Sequence, residues 1–188
     1  RESEKHPANT RGDKKEIHEG DLVSRIGKTT EYQLREARES DAEAVERLAK
    51  ICQPLRASVK GTYEYMVLGF KRYFLLALHD DKVIGFIVGF PSLEGDVWIY
   101  QIAVHPVYRE KGVGEKLLGE ELKRLRSDNR SVVRVRILES NRPSMSLFKK
   151  FGFKKKKKVG GWVEMEKRLN TRRAVKTQIT SPHMEVSR

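Results

Sequence analysis

Apolar positions recur along the chain in two rhythms. Residues 73–79, 82–90 and 97–104 are nearly continuous apolar blocks rich in Val, Ile and Phe, short enough to be strands. Asp80-Asp81 turns the first into the second, and residues 91–95, with Pro91 and Gly95, break the chain before the third. From 112 to 126 the spacing changes to three and four, and Val113, Leu117, Leu118, Leu122 and Leu125 fall on one helical face. Upstream, residues 32–36 read as a short strand. Ser40-Asp41-Ala42-Glu43 reads as a capping box opening a helix with Ala44, Val45, Leu48 and Ile51 as its buried stripe. Pro54 ends that helix, and residues 63–70 read as a second one. Downstream, residues 132–138 form a fifth strand, apolar on one face with Arg134 and Arg136 on the other. Residues 143–151 form a short helix. Residues 153–159, the Gly160-Gly161 turn and residues 162–169 form a closing hairpin. This order predicts an α/β domain with one mixed sheet, spanning residues 31–169. Residues 1–30 are polar and aperiodic and are expected to be a flexible arm; residues 170–188 are expected to be a flexible basic tail.

Charge adds one question. Lys and Arg number 39 against 26 Asp and Glu, a net +13 over 188 residues. Such an excess suits a polyanionic partner: nucleic acid, a membrane surface or a phosphorylated cofactor. The densest basic run, five lysines at 154–158, lies on an expected strand, where charge discourages edge-to-edge pairing. It carries no interleaved aromatics and no nucleic-acid motif. One cysteine, Cys52, excludes an intramolecular disulfide framework and a multi-cysteine zinc site, and the five histidines show no ligand spacing, so no metal is expected. No run of 18 apolar residues is present and residues 1–10 lack an apolar signal core, so a cytoplasmic protein without a membrane partner is expected.

The strongest chemical feature is a strand that runs through Ile102, Ala103 and Val104 into a basic, glycine-bearing turn and then a helix. The turn reads Arg109-Glu110-Lys111-Gly112-Val113-Gly114. Glycines let backbone N–H groups approach a ligand closely, and a helix N-terminus offers unpaired donors and partial positive charge. Together they suit a pyrophosphate. No Gly-Lys-Ser/Thr follows, so this is no Walker loop, and the third glycine and later acid of a dinucleotide fold are missing.

Arg109-x-x-Gly112-x-Gly114 after such a strand resembles the acetyl-CoA motif of the GNAT acetyltransferases. Asn141-x-x-Ser144-x-x-Leu147-Phe148-x-x-x-Gly152-Phe153 resembles that family's second motif, in the same order and spacing. The resemblance covers residues 31–169. It implies the GNAT acyl-CoA N-acyltransferase fold, with the fourth and fifth strands splayed, and acetyl transfer from acetyl-CoA to a primary amine by direct attack on the thioester. It places the pantetheine arm on the edge of Ile102, Ala103 and Val104. The pyrophosphate falls on Arg109, Glu110, Lys111, Gly112, Val113 and Gly114, and the thioester end beside Asn141, Ser144, Leu147 and Phe148. Dimers are common in that family, and no sequence stripe here singles one out.

The reaction needs a base for the amine proton, a donor for the carbonyl oxygen and an acid for the departing thiolate. Glu139 and Asp96, with Glu94, are the candidate bases; Ser146 is the candidate acid, with Ser144 and Tyr100 nearby. Phe148 stands where many family members carry a tyrosine. Ribosomal-protein Nα-acetyltransferases also place a glutamate where this chain has Arg136. The first half is more similar to L-2,4-diaminobutyrate acetyltransferases: Cys52-Gln53-Pro54-Leu55, Tyr63-Glu64-Tyr65-Met66-Val67-Leu68, Gly85-Phe86-Ile87 and Tyr100-Gln101-Ile102-Ala103-Val104. The loop Arg56-Ala57-Ser58-Val59 departs from that branch, with a base where the branch has an acid. Tyr63, Tyr65 and Trp98 are candidate walls of an acceptor pocket and Gln101 a candidate hydrogen-bonding partner. A small amino-acid-like amine is the first expectation. A peptide or protein amine (Nα or Lys Nε) is the second, and a non-catalytic nucleic-acid-binding fold the third.

Overall fold

In the computed structural model, the three apolar blocks pair with one another. They are β2 (Phe74–His79), β3 (Lys82–Pro91) and β4 (Asp96–Val104). β1 (Gln33–Glu36) joins β2, and β5 (Val132–Leu138), β7 (Trp162–Arg168) and β6 (Lys154–Val159) extend the other side. The result is one seven-stranded sheet of order β1-β2-β3-β4-β5-β7-β6. The structure describes residues 31–93 and 95–169. The expected arm at 1–30, the expected tail at 170–188 and the candidate base Glu94 lie outside the described residues. Among them, no helix is long and apolar enough to cross a membrane, and no cluster of metal-ligating side chains occurs.

All strand pairs are antiparallel except β4 with β5. A parallel pair needs a crossover, and α3 (Val113–Ser127) supplies it. Its leucine stripe is the expected one, fully buried, with Glu121 buried among it. Side chains alternate between sheet faces. On one face Phe74, Leu76, Phe86, Val88 and Ala103 pack with α1 (Ala42–Ile51) and α2 (Lys60–Phe70) into a continuous core. On the other, α3 presses so close to β3 that Gly85 has no room for a side chain. A Cβ there would stand 3.1 Å from the Ala103 carbonyl oxygen, 3.1 Å from Leu117 Cδ1 and 3.2 Å from Val113 Cγ1. Gly85→Ala should therefore lower stability by about 1–3 kcal/mol, the usual range for overpacking. A urea midpoint equal to that of the parent would show that α3 can lift off the strand without loss.

Two details of α1 differ from expectation. Ser40 and Glu43 do not form the box. Asp41 accepts the Arg38 N–H at 2.7 Å and binds both Nη atoms of Arg35 at 2.7 and 2.8 Å. The Arg35 guanidinium holds its carboxyl below the usual carboxylate range. The helix begins at Ala42 after a 3-10 turn, so the buried stripe is Ala42, Val45, Leu48 and Ala49. Ala44 is only partly covered and Ile51 is half exposed. The lysine strand β6 sits at the sheet edge with every residue exposed. Three of its lysines meet acids: Lys156 with Glu166 (3.7 Å), Lys157 with Glu164 (3.3 Å) and Lys158 with Glu139 (2.6 Å).

Candidate active site

β4 and β5 pair only from Asp96/Val132 to Ile99/Val135. Beyond that point they part. β4 stays bonded to β3 as far as Val104, and β5 stays bonded to β7 as far as Leu138. The edges that face each other across the split, residues 100–104 and 136–138, are therefore left unpaired. A bulge accompanies the parting. Gln101 faces Val88 and Ile99 faces Gly89, so Tyr100 is an extra residue on β4. Such a bulge bends its strand.

The split opens into a cavity of about 470 Å³. Ile99, Ile102, Val135, Ile137 and Leu138 form its strand walls. Trp98, Tyr100, Phe148 and Trp162 add aromatic surface, and Pro54, Leu55 and Arg56 cover one side. Asn141 and Ser144 lie at the start of α4 (Arg142–Lys150), with Gln101 and Arg136 completing the lining. Asn141 caps that helix: its Oδ1 accepts the Ser144 N–H at 3.2 Å. Phe148 is fully buried and meets Phe153 edge-on at 5.0 Å, so it anchors α4 and also faces the cavity.

Past Val104 the chain turns into α3. Gly112 caps the helix with φ of +78°, and among the described residues nothing lies within 4 Å of where its Cβ would be. Glu110 also has a left-handed φ, +61°. Intrahelical bonding starts with Lys116 N–H to the Gly112 carbonyl at 2.9 Å. The N–H groups of Val113, Gly114 and Glu115 therefore have no acceptor within the helix. This open turn suits a phosphate-bearing ligand, with Arg109 and Lys111 exposed beside it. Arg109 Nε donates to the Val104 carbonyl at 3.2 Å, and the buried Cys52 thiol donates to the same oxygen at 3.4 Å. Burial pushes the Cys52 thiol up from its ordinary pKa. A Cβ on Gly114 would stand 3.6 Å from both Val104 Cγ2 and Leu147 Cδ2. The turn, the free end of β4 and α4 thus meet at one place.

The candidate acceptor and catalytic residues are less gathered. Trp98 lines the cavity; Tyr63 and Tyr65 do not. Tyr63 is core, edge-on to Phe86 at 5.9 Å, and burial raises its pKa. Tyr65 is 77% exposed, on the outer side of α2. Gln101 lines the cavity with its amide already engaged. Its Oε1 accepts the Tyr63 hydroxyl at 2.9 Å and its Nε2 donates to the Arg56 carbonyl at 2.7 Å. It acts as a strut between the core and the loop over the cavity. The Ser58 and Tyr100 hydroxyls add a second tie at 3.1 Å.

Asp96 lies at the paired end of β4, ion-paired with Arg134. Glu139 is bound to Lys158, which holds its carboxyl below the ordinary range. Ser146 is exposed on α4. None of these three lines the cavity. Among the described residues, no carboxylate or imidazole does. Besides Pro54, Arg56, Ile99, Val135, Arg136, Ile137 and Leu138, sequence reasoning missed Leu55 and Trp162 as lining residues. Only the Gly160-Gly161 turn, which sets Trp162 opposite Leu138, hinted at the second.

Comparisons with known proteins agree with this geometry. The family model described as the Acetyltransferase (GNAT) family matches residues 34–153. An N-alpha-acetyltransferase of Saccharolobus solfataricus is 29% identical over 150 residues, covering 72% of this chain and 87% of its own. An L-2,4-diaminobutyric acid acetyltransferase of Vibrio parahaemolyticus is 30% identical over 119 residues, covering 62% of this chain and 66% of its own. The PaiA N-acetyltransferase of Thermoplasma acidophilum, solved in complex with coenzyme A, superposes with a TM-score of 0.67 at 20% identity, over 74% of this chain and 99% of that one. Together with the parallel, splayed β4–β5 pair, the match places this chain in the GNAT family of acetyl-CoA-dependent acetyltransferases.

Proposed function

We propose that this acetyltransferase modifies the primary amine of a small amino-acid-like acceptor held in the cavity between the parted strands. The cavity carries the reading. Its volume of about 470 Å³ lies in the range of small-molecule sites. The loop along one side of it is tied down at Arg56 and Ser58. The likeness to the Vibrio diaminobutyrate enzyme supports the same class of acceptor.

When bound, acetyl-CoA supplies an acyl group activated as a thioester. For its pyrophosphate we assign the backbone of Arg109, Glu110, Lys111, Gly112, Val113 and Gly114. For its amide-bearing arm we assign the free edge at Ile102, Ala103 and Val104, where strand addition satisfies backbone groups that β5 has left. Asn141, Ser144, Leu147 and Phe148 flank the acyl end. A β4 N–H near Ile102 would be the donor for charge developing on the carbonyl oxygen of a bound thioester. Phe148 has no proton to give, and its part is to seat α4. With no carboxylate in the lining among the described residues, the amine's proton would pass to water on the cavity's open side, and coenzyme A would depart as its thiolate and take a proton from the same water.

The second reading, a peptide α-amine, draws on the Saccharolobus relative, whose match covers more of this chain. Thiol release from acetyl-CoA separates the two. The panel holds diaminobutyrate, ornithine, lysine, polyamines and peptides with free N-termini. Turnover of a small amino acid is expected, and Trp98→Ala should then raise its KM about tenfold through lost contact area. Turnover confined to peptides would replace the first reading with the second.

A further inference from the structure

The cavity has a charge character that acetyl transfer does not require. Among the described residues, its lining carries two charged side chains, Arg56 and Arg136, and both are positive. They sit on different walls. Arg56 belongs to the loop that Gln101 stitches to β4 through the Arg56 carbonyl. Arg136 stands on β5, just past the point where pairing with β4 stops.

Neighbouring charges leave Arg136 available. Arg134, on the same face of β5 and still within the paired region, is neutralised by Asp96 and by Glu166 at 3.3 Å. Among the described residues, Arg136 has one carboxylate near it, Glu164, at 3.6 Å. Lys157 is closer to the same Glu164 oxygen, at 3.3 Å. One acid is thus shared by two bases, and most of the five guanidinium N–H donors of Arg136 stay open. The guanidinium carbon lies 5.8 Å from the centre of the Trp98 ring, which sets its orientation beside the cavity. The phosphate turn at Gly112 lies beyond the far end of β4, so the two arginines are not part of that cradle.

We propose that Arg56 and Arg136 read a carboxylate on the acceptor, and that the site selects amines bearing a free acid group over amines whose remaining charge is positive. This rests on the small-acceptor reading above. A guanidinium presents paired donors that match a carboxylate, and apolar walls strengthen the contact. An acceptor with a second ammonium and no acid meets like charge on both walls. The substrate class is therefore a small amino acid with its carboxylate intact.

The chain contains two tryptophans, Trp98 and Trp162, and both line the cavity. Intrinsic fluorescence therefore reports occupancy without turnover. The full chain is titrated with N-acetylalanine and N-acetylglutamate, and with their carboxamides, which keep the shape and lose the charge. The acids should bind at least about tenfold more tightly than the amides. Arg136→Ala and Arg56→Ala should each remove most of that preference, and Arg136→Lys should keep part of it. Lys154→Ala, exposed on β6 and outside the lining, should leave it unchanged. Both arginines are exposed, so these variants should fold. Equal binding of acids and amides, no response to either acid, or a preference that survives both alanine variants would overturn the proposal. Turnover of small amines without acid preference would leave the small-acceptor reading standing and remove this one. Acid-selective binding with turnover only of peptides would overturn the small-acceptor reading and, with it, the substrate class proposed here.

Discussion

Gly112→Glu should weaken acetyl-CoA binding by about a hundredfold or more while leaving the domain folded. Two effects must be separated. The first is strain, because Gly112 caps α3 in the left-handed region, where a side chain costs about 1–2 kcal/mol. A domain of ordinary stability, roughly 5–15 kcal/mol, survives that loss. No packing cost is added, since among the described residues nothing lies within 4 Å of the Cβ position. The second effect is charge. A carboxylate at a helix N-terminus is favourable to the helix itself, so the new side chain would occupy the N–H groups that the pyrophosphate needs. It would act as a built-in competitor. Gly112→Asn tolerates the backbone and carries no charge, so its loss should be about tenfold or less. Equilibrium binding of acetyl-CoA, with circular dichroism as the check on folding, measures both. A folded Gly112→Glu protein with unchanged affinity would remove the phosphate site from this turn.

That turn was legible because its signal is local: a strand, two glycines two residues apart and a leucine stripe occupy adjacent sequence. The splay was different. Where β4 leaves β5 depends on partners that sequence does not pair, and the extra residue at Tyr100 exists only relative to β3. The resemblance supplied the expectation of parted strands, and the register shows where they part. Tyr63 illustrates the limit from the other side. Its sequence neighbours suggested a pocket wall, yet a helix that packs over Phe74 and Phe86 turns the ring into the core and leaves only the hydroxyl to hold Gln101. The charged candidates moved for a similar reason. In a chain this basic, Asp96 and Glu139 are drawn to the nearest cations, Arg134 and Lys158, and those lie off the cavity. Arg136 stood out in the sequence only as a departure from one branch of the family. Its meaning depends on which acids surround it, and that is a property of β7 and β6, some 20–30 residues downstream.

Lowering the pH from 8 to 5 should stabilise the protein strongly, and Glu121→Gln should abolish most of that dependence. Glu121 lies on the leucine stripe of α3 and is fully buried. Its carboxyl faces β3 and β4. A Cβ on Gly89 would stand 3.1 Å from Oε1, with Val97 Cγ1 at 3.2 Å and Ile99 Cδ1 at 3.5 Å from the same point. The absence of a side chain at Gly89 makes the room. Neither carboxyl oxygen has a hydrogen-bond partner among the described residues. Burial pushes its pKa up to about 8, because an apolar site penalises the charged form. The Arg124 and Arg72 charges pull the other way and Asp128 and Glu120 add to the rise. In the unfolded chain the same group ionises near its ordinary value, 4.5. Between those two values the folded state holds a proton that the unfolded state has released, so stability falls as pH rises. The slope is about 1.4 kcal/mol per pH unit, and the whole window is worth on the order of 5 kcal/mol. Below it both states are protonated, and above it both are ionised. Asp41 and Asp128, held low by Arg35 and Arg72, act in the opposite sense and only at more acid pH. Groups common to parent and variant cancel in the comparison. Glu121→Gln keeps the shape without the titration, so its gain over the parent should be near zero at pH 5 and several kcal/mol at pH 8, on the scale just given. Urea denaturation at the two pH values measures it. Curves for parent and variant that shift in parallel would mean that the carboxyl is ionised in the folded protein.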